Sequence, residues 1–298
     1  MTRLQLIIGF AVIYVVWGST YLAIRVALVT IPPFVLGSVR FLVAGGGLYA
    51  WSRWRGAPKP TALQWRNAAI IGGLLLAIGN GAVSWAEQRV SSGMTSLLVS
   101  TVPLWLVLSQ AVLGTRPTVA KLLGVVAGLV GVGLLVLPVT GGVHDTAVDP
   151  IGALVLSVSA LSWTIGSLFS RQAVLAKPAS MSSAMQMLAG GAMLLALSLV
   201  TGEAVPFWAA PHVTRASVLA VGYLIVFGSL VGFSTYMWLL KAASPTAVGT
   251  YAYVNPVVAV LLGVVLLGET LPPRAVLAMV VIVGSVALVS LAGQLRRR

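Results

Sequence analysis

Residues 84–93 read SWAEQRVSSG and set Glu87 and Arg89 between two long apolar runs. The chain has 298 residues and only five acidic side chains. A glutamate in this position is therefore either part of a charged site inside an apolar protein or a point where the chain turns in water. Composition narrows the choice. The sequence is 59% hydrophobic and 8% charged, with mean hydropathy +1.03, far outside soluble globular averages. Apolar runs of roughly twenty residues follow one another, as in a polytopic helical membrane protein. A β-barrel would instead show alternating segments of roughly ten residues. Working outward from 84–93 gives ten expected helices, over residues 4–29, 33–52, 66–88, 91–113, 118–137, 150–174, 180–200, 215–240, 245–267 and 272–292. The quoted stretch then falls between the third and fourth. Glu87, Gln88 and Arg89 end one helix, and Ser91 or Ser92 caps the next. A hydrated hairpin end is the preferred reading, with a gating role for Glu87 as the alternative. The first span follows only Thr2 and Arg3. It is too long for a signal-peptide core and lacks a small-residue cleavage site, so it is expected to remain as a helix.

The net charge of +13 raises nucleic acid as a partner, and its distribution argues against one. Arg3, Arg53, Arg55, Lys59, Arg66, Arg116, Lys121, Arg171, Lys177, Lys241 and Arg296–Arg298 all fall on the same side of a ten-span topology. The opposite loops hold little more than Arg89, Arg215 and Arg274, and the longest, PVTGGVHDTAVDP (138–150), has no Lys or Arg. By the positive-inside rule both termini are expected in the cytoplasm of a multi-pass inner (plasma) membrane protein of bacterial type. The lipid bilayer and a small-molecule substrate are the expected partners.

A repeat runs through the chain. Gly79, Trp85, Ser91 and Pro103 map onto Gly232, Trp238, Ser244 and Pro256 at one constant offset. WGSTYLAIR (17–25) matches WTIGSLFSR (163–171), with Trp and Arg eight residues apart in both. Five helices per half is an odd number, so the second half must enter the membrane inverted. The expected fold is thus an all-α polytopic membrane protein of ten transmembrane helices in two inverted five-helix repeats. Residues 1–137 and 150–298 form the halves, and 138–149 a periplasmic linker. The repeat keeps Trp85 and Ser91 but replaces Glu87 and Arg89 with Leu240 and Ala242. The skeleton is shared, while the charges belong to one hairpin.

On WGSTYLAIR (17–25), PPFVLGSVRFLVAG (32–45), WAEQRVSSGMTSLLVSTVPLW (85–105) and LLGETL (266–271), the chain resembles the ten-helix EamA-type branch of the drug/metabolite transporter superfamily over nearly its whole length. That resemblance implies a secondary transporter and points to the inner-membrane exporters of amino acids, including aromatic ones. It also implies a central cavity formed mainly by helices 1, 3, 4, 6, 8 and 9. One departure stands out: the family often carries Gly-Glu after helices 4 and 9, and here Gly268-Glu269 is present but the first half reads Gly114-Thr115.

The residues themselves suggest which helices face a cavity. Aromatic side chains gather at membrane interfaces, yet Trp17 and Trp163 fall near the centres of their spans and are repeat partners, and Trp105 is also fairly central. Tyr14, Trp17 and Tyr21 share a helix face, as do Ser159, Trp163 and Ser167; Asn80, Ser84 and Gln88 on helix 3; and Tyr251 and Asn255 on helix 9. Polar and aromatic groups at this depth face a wet cavity or simply pack helices together. Pro103 and Pro256 each remove a backbone hydrogen bond and are either harmless bends or matched hinges. Arg40 lies about 10 Å inside the outer end of helix 2. It either holds a substrate carboxylate or, the preferred reading, ties helix 2 to carbonyls or to Glu87. Gly124 and Gly128 in helix 5 form a small-residue packing surface, used internally or for a homodimer.

No nucleotide-binding P-loop or nucleophile elbow is present, and His144 and His212 are the only histidines. The chain has no cysteine. No catalytic residue, metal site or cofactor is therefore expected, and no enzyme activity. No Asp or Glu sits mid-span, which disfavours lipophilic cations. Arg40 alone does not make the basic cluster that a phosphorylated sugar would need. A neutral or zwitterionic solute remains. The expectation is an exporter of aromatic and other neutral amino acids or similar small metabolites, working by alternating access. A drug/metabolite exporter or an exchanger for a sugar or nucleoside is the alternative. Trp17, Trp163, Tyr14, Tyr21, Asn80, Ser84, Trp105, Ser167, Tyr251 and Asn255 are the candidate substrate residues, and Arg40, Glu87, Pro103 and Pro256 the candidate gating residues.

Overall fold

The computed structural model describes every residue except 1–2, 113, 115, 137–147, 211, 244, 270–271 and 296–298. Thr115, Ser244, His144, most of the expected linker and the terminal arginines thus lie outside the described residues. Ten long helices run through the rest: α1 Arg3–Ala27, α2 Pro33–Trp54, α3 Ala62–Ala86, α4 Ser92–Val112, α5 Val119–Val136, α6 Pro150–Gln172, α7 Ala179–Val200, α8 Arg215–Ala242, α9 Tyr251–Leu267 and α10 Pro273–Leu295. Short helices Ala204–Ala209 and Pro245–Val248 precede α8 and α9, and there is no strand among the described residues. Seven of the ten are long and apolar enough to cross a membrane, and α5, α9 and α10 carry shorter apolar stretches.

The helix starts follow local chemistry. Pro33 and Pro150 sit where a helix has no N–H to bond. Thr61 and Gln64 close a capping box on α3. At α4 the cap is Ser91, whose hydroxyl accepts from the Met94 amide, which leaves Ser92 free for another partner. Gly268 ends α9 in the left-handed conformation at φ 65°.

The packing obeys a two-fold exchange of halves. α2 lies along α7, α5 along α10, and α4 against α9, while α1 packs on α8 and α9 as α6 packs on α3 and α4. Each contact survives when both helices are replaced by those five further on, as an inverted repeat requires. Gly124 and Gly128 of α5 are spent on this internal packing, against Val289 of α10 and Leu104 of α4. Many large apolar side chains, among them Ile7, Val15, Leu154 and Val265, face outward, while Arg40, Asn67, Glu87, Gln186 and Asn255 are buried. This is the polarity of a chain whose solvent is lipid. The described carboxylates, Glu87, Asp149, Glu203 and Glu269, all fall at one end of the bundle, here the acidic end; Arg53, Lys59, Arg66, Lys121, Arg171 and Lys241 fall at the other, the basic end.

One feature left no trace in the hydrophobic pattern. Gly73–Asn80 in α3 and Leu224–Phe233 in α8 are wound as π-helix, and they overlap at the repeat offset that relates Gly79 to Gly232. Such segments are rare and recur at functional sites. The prolines behave less symmetrically than matched hinges would. α4 is interrupted at Ser100–Thr101, just ahead of Pro103, whereas α9 runs unbroken through Pro256, and Gly249–Thr250 separate it from the short helix before it.

Candidate functional site

Four rings from four helices meet near the middle of the bundle. Trp17 of α1 contacts Trp163 of α6 edge-on, with ring centroids 5.5 Å apart. It lies 4.8 Å from Tyr236 of α8 and 5.6 Å from Tyr251 of α9. Trp163 and Tyr236 are 5.5 Å apart. Edge and tilted contacts at these separations are the favoured geometries for aromatic pairs. The two tryptophans are seated by the repeat itself. A Cβ on Gly232 would fall 2.6 Å from Trp17 Nε1, and one on Gly79 would fall 2.9 Å from Trp163 Cε3. Each tryptophan thus occupies the space left by a glycine in a π-wound segment of the opposite half.

Hydrogen bonds hold the rings in place. Trp17 Nε1 donates to Gly228 O (3.3 Å). Trp163 Nε1 donates to Tyr236 Oη (3.0 Å), which also meets Ser167 Oγ at 2.7 Å. Ser167 in turn donates to Trp163 O (2.6 Å). Tyr236→Phe removes two of these bonds at about 1 kcal/mol each. We expect a lower unfolding midpoint for purified Y236F, followed by tryptophan fluorescence.

Beside the rings is a pocket of about 50 Å³ walled by Trp17, Thr20, Tyr21, Arg40, Asn80, Ser159, Trp163, Tyr251 and Asn255, with Ile24, Gly79, Val83 and Val99. Arg40 Nε donates to Ser229 Oγ (2.8 Å) and Nη1 to Asn80 Oδ1 (3.1 Å). Among the described residues no carboxylate lies within ion-pair distance of it. Arg40 thus ties α2 to its neighbours, as the preferred reading of the sequence expects, but through the Asn80 amide oxygen of α3 and the Ser229 hydroxyl of α8 and not through Glu87. Asn255, with its amide turned to put nitrogen toward the backbone, donates to Tyr14 O (3.1 Å) and Tyr251 O (3.3 Å). A second cavity, about 170 Å³, opens at the basic end between Val102, Pro103, Gln110, Lys121, Ser167, Arg171, Tyr236 and Tyr251. Tyr251 borders both spaces.

The structure gathers most of the residues singled out by spacing and leaves others aside. Tyr14 sits off the pocket with its hydroxyl 2.5 Å from Thr250 Oγ1, joining α1 to the start of α9. Ser84 is buried away from both cavities, and Trp105 is half-buried and borders neither. Gln88 is exposed in the turn where the helical spacing has already ended. Sequence reasoning missed Tyr236. It lies near the end of α8 close to Trp238, where a tyrosine reads as an interface anchor, and its repeat position is Val83.

Glu87 requires a correction. The hairpin at 84–93 is only half hydrated: Gln88 and Arg89 are exposed, but Glu87 is 0% exposed and neither carboxyl oxygen has a hydrogen-bond partner. The reason is what lies over it. Arg25 of α1 donates to the Glu87 carbonyl, and Glu269, beyond α9, accepts from the Ser92 amide (3.0 Å) and hydroxyl (2.9 Å) and from the Gly93 amide (3.4 Å). A carboxylate at a helix N-terminus is favourably placed. The basic end repeats the first of these contacts. Arg171 Nη1, the repeat partner of Arg25, donates to Leu240 O (2.5 Å), the repeat partner of Glu87. The clasp recurs at both ends, and the carboxyl occurs at one.

Comparisons with known proteins agree with this architecture. Residues 5–137 and 150–291 each match the EamA-like transporter family. The chain is 41% identical over 280 residues to YedA of Escherichia coli K12, described as an uncharacterized inner membrane transporter, covering 94% of this chain and 88% of that one. It is 26% identical to the transporter YoaV of Bacillus subtilis over 93% of this chain and 94% of that one, and 26% identical to PecM of Dickeya dadantii over 92% and 88%. A crystal structure 24% identical in sequence superposes with TM-score 0.68 over 99% of both chains, a likeness of fold. With the family matched across both halves, the chain belongs to the EamA-like transporter family and is a multi-pass inner membrane transporter.

Proposed function

We propose that this transporter exports amino acids, aromatic and other neutral ones, across the inner membrane by alternating access. The observation that carries the reading is Arg40, a buried guanidinium with no carboxylate partner among the described residues, on the wall of a pocket formed largely by aromatic rings. A lone charge at membrane depth is costly, and a solute carboxylate would offset that cost. The rings of Trp17, Trp163 and Tyr251 would take the solute's apolar body, while Asn80 and Asn255 bond its polar end. A lipophilic cation would meet Arg40 as a like charge, and a neutral sugar would leave it unpaired. At about 50 Å³ the pocket is far below the roughly 300–1,000 Å³ of a ligand site, so solute entry requires the halves to part. The clasp at Arg25 would release on one stroke and that at Arg171 on the other. Residues 1–137 and 150–298 are the moving halves, 138–149 the periplasmic linker, and the termini are cytoplasmic, consistent with the charge bias.

The test is efflux of radiolabelled amino acids from liposomes containing the purified protein, with Trp163→Ala and protein-free vesicles beside it. Efflux of phenylalanine or threonine above background that falls at least tenfold in W163A supports function and site together. Undiminished efflux in W163A removes the aromatic pocket from the pathway. Efflux of sugars or nucleosides and of no amino acid overturns the substrate class.

A further inference from the structure

Among the described residues Glu87 is the one buried carboxyl, and the solute pathway does not use it. Its burial is complete and both oxygens lack a partner, an arrangement that disfavours a charged group and favours a neutral acid. It also lies at a place that must move. Val83, one turn earlier on α3, and Tyr21 and Ile24 of α1 wall the central pocket, so Glu87 sits just behind that wall at the acidic end. From this geometry we propose that Glu87 is a proton-binding site whose occupancy closes the acidic end, making protons the second substrate of this transporter. The proposal rests on the transport reading above and adds the coupling ion.

The groups around the carboxyl fit that role. On α1, Arg25 reaches the Glu87 carbonyl and its charge favours the ionised acid; Tyr21 lies on the same helix face. From beyond α9, Glu269 adds a like charge. On the hairpin itself Arg89 turns away, its guanidinium 4.8 Å from the Trp85 ring and 3.9 Å from Asp149 at the start of α6. Desolvation outweighs Arg25 and, with help from Glu269, raises the Glu87 pKa well above the ordinary carboxyl value. The sign follows. The closed form binds the proton more tightly than a hydrated, open form would, so closure is favoured below the raised pKa and is lost as pH rises through it. When α1 and the α9–α10 turn draw apart, water reaches the carboxyl. In that open form the carboxyl, already emptied toward the basic end, is a carboxylate paired with Arg25. In the reverse stroke one proton is taken from water on the acidic side. It leaves by the central pocket after the basic end opens, and the solute travels the other way.

Glu87→Gln keeps the shape and removes the titration. In lipid nanodiscs the wild type is expected to show a carboxylic-acid carbonyl band in the infrared at neutral pH that E87Q lacks and Glu203→Gln retains. In liposomes, acidifying the acidic-end side is expected to speed solute movement toward that side in the wild type, with a flat pH profile in E87Q. Persistence of the band or of the pH response in E87Q overturns the proposal. So does a wild-type spectrum without a protonated carboxyl, which decides the matter even if E87Q fails to fold. A wild type that moves no amino acid yet loses the band in E87Q defeats the substrate reading and supports the proton site.

Discussion

Arg40→Met is expected to weaken binding of amino acids by roughly two to three and a half orders of magnitude while leaving the protein folded. The bound solute carboxylate would face Asn80 and aromatic rings with no counter-charge, and breaking one side of a buried charged pair costs roughly 3–5 kcal/mol, at about 1.4 kcal/mol per factor of ten. Folding should survive because the same substitution relieves the helix of a buried charge whose own bonds run to Ser229 and Asn80. Those two oxygens are left without their donor at about 1–3 kcal/mol each at most. The measurement is equilibrium binding of labelled phenylalanine to purified protein, with elution profile as the control for folding. Arg40→Lys separates charge from shape. A lysine restores attraction but not the two-pronged planar fork, so partial recovery is expected. Unchanged binding in R40M would show that the guanidinium is only a helix tie.

The second large effect concerns packing. Gly72→Ala is expected to abolish recovery of monodisperse protein. Its added Cβ would lie 2.3 Å from Gln186 O and 3.0 Å from Gly190 N. Both are backbone atoms of α7, so no side chain can rotate away, and α3 would have to leave α7. Overpacking typically costs about 1–3 kcal/mol and more where nothing gives. Gly222→Ala is the control: a Cβ there meets nothing within 4 Å, and its stability should match the wild type in a thermal-shift assay.

The ten helices were legible because lipid demands long apolar runs and charge marks their ends. Trp17 and Trp163 were legible because a mid-span tryptophan has no interfacial reason to be there. Asn80, Tyr251 and Asn255 followed from spacing. Other features depend on how helices meet, which spacing does not encode. The burial of Glu87 comes from Arg25 and the α9–α10 turn folding over a hairpin that, read alone, belongs in water. The π-wound segments are set by packing around Gly79 and Gly232 and leave the hydropathy unchanged. Ser84 misled because a shared helix face with Asn80 does not guarantee a shared cavity once α6 and α7 both press on α3.

The seating of each tryptophan on a glycine of the other half bears on how the protein is made. Trp17 and Arg40 are synthesised long before Gly232 and Ser229, and the Arg40–Ser229 bond joins residues 189 positions apart. At about 5–20 residues per second, that is roughly 10–40 s during which α1 and α2 sit in the bilayer with a tryptophan unseated and a guanidinium lacking one of its two hydroxyl and amide partners. Until the second half arrives, the first half made alone is expected to leave that polar seam unpaired. Separately expressed halves should accumulate only when they are made together.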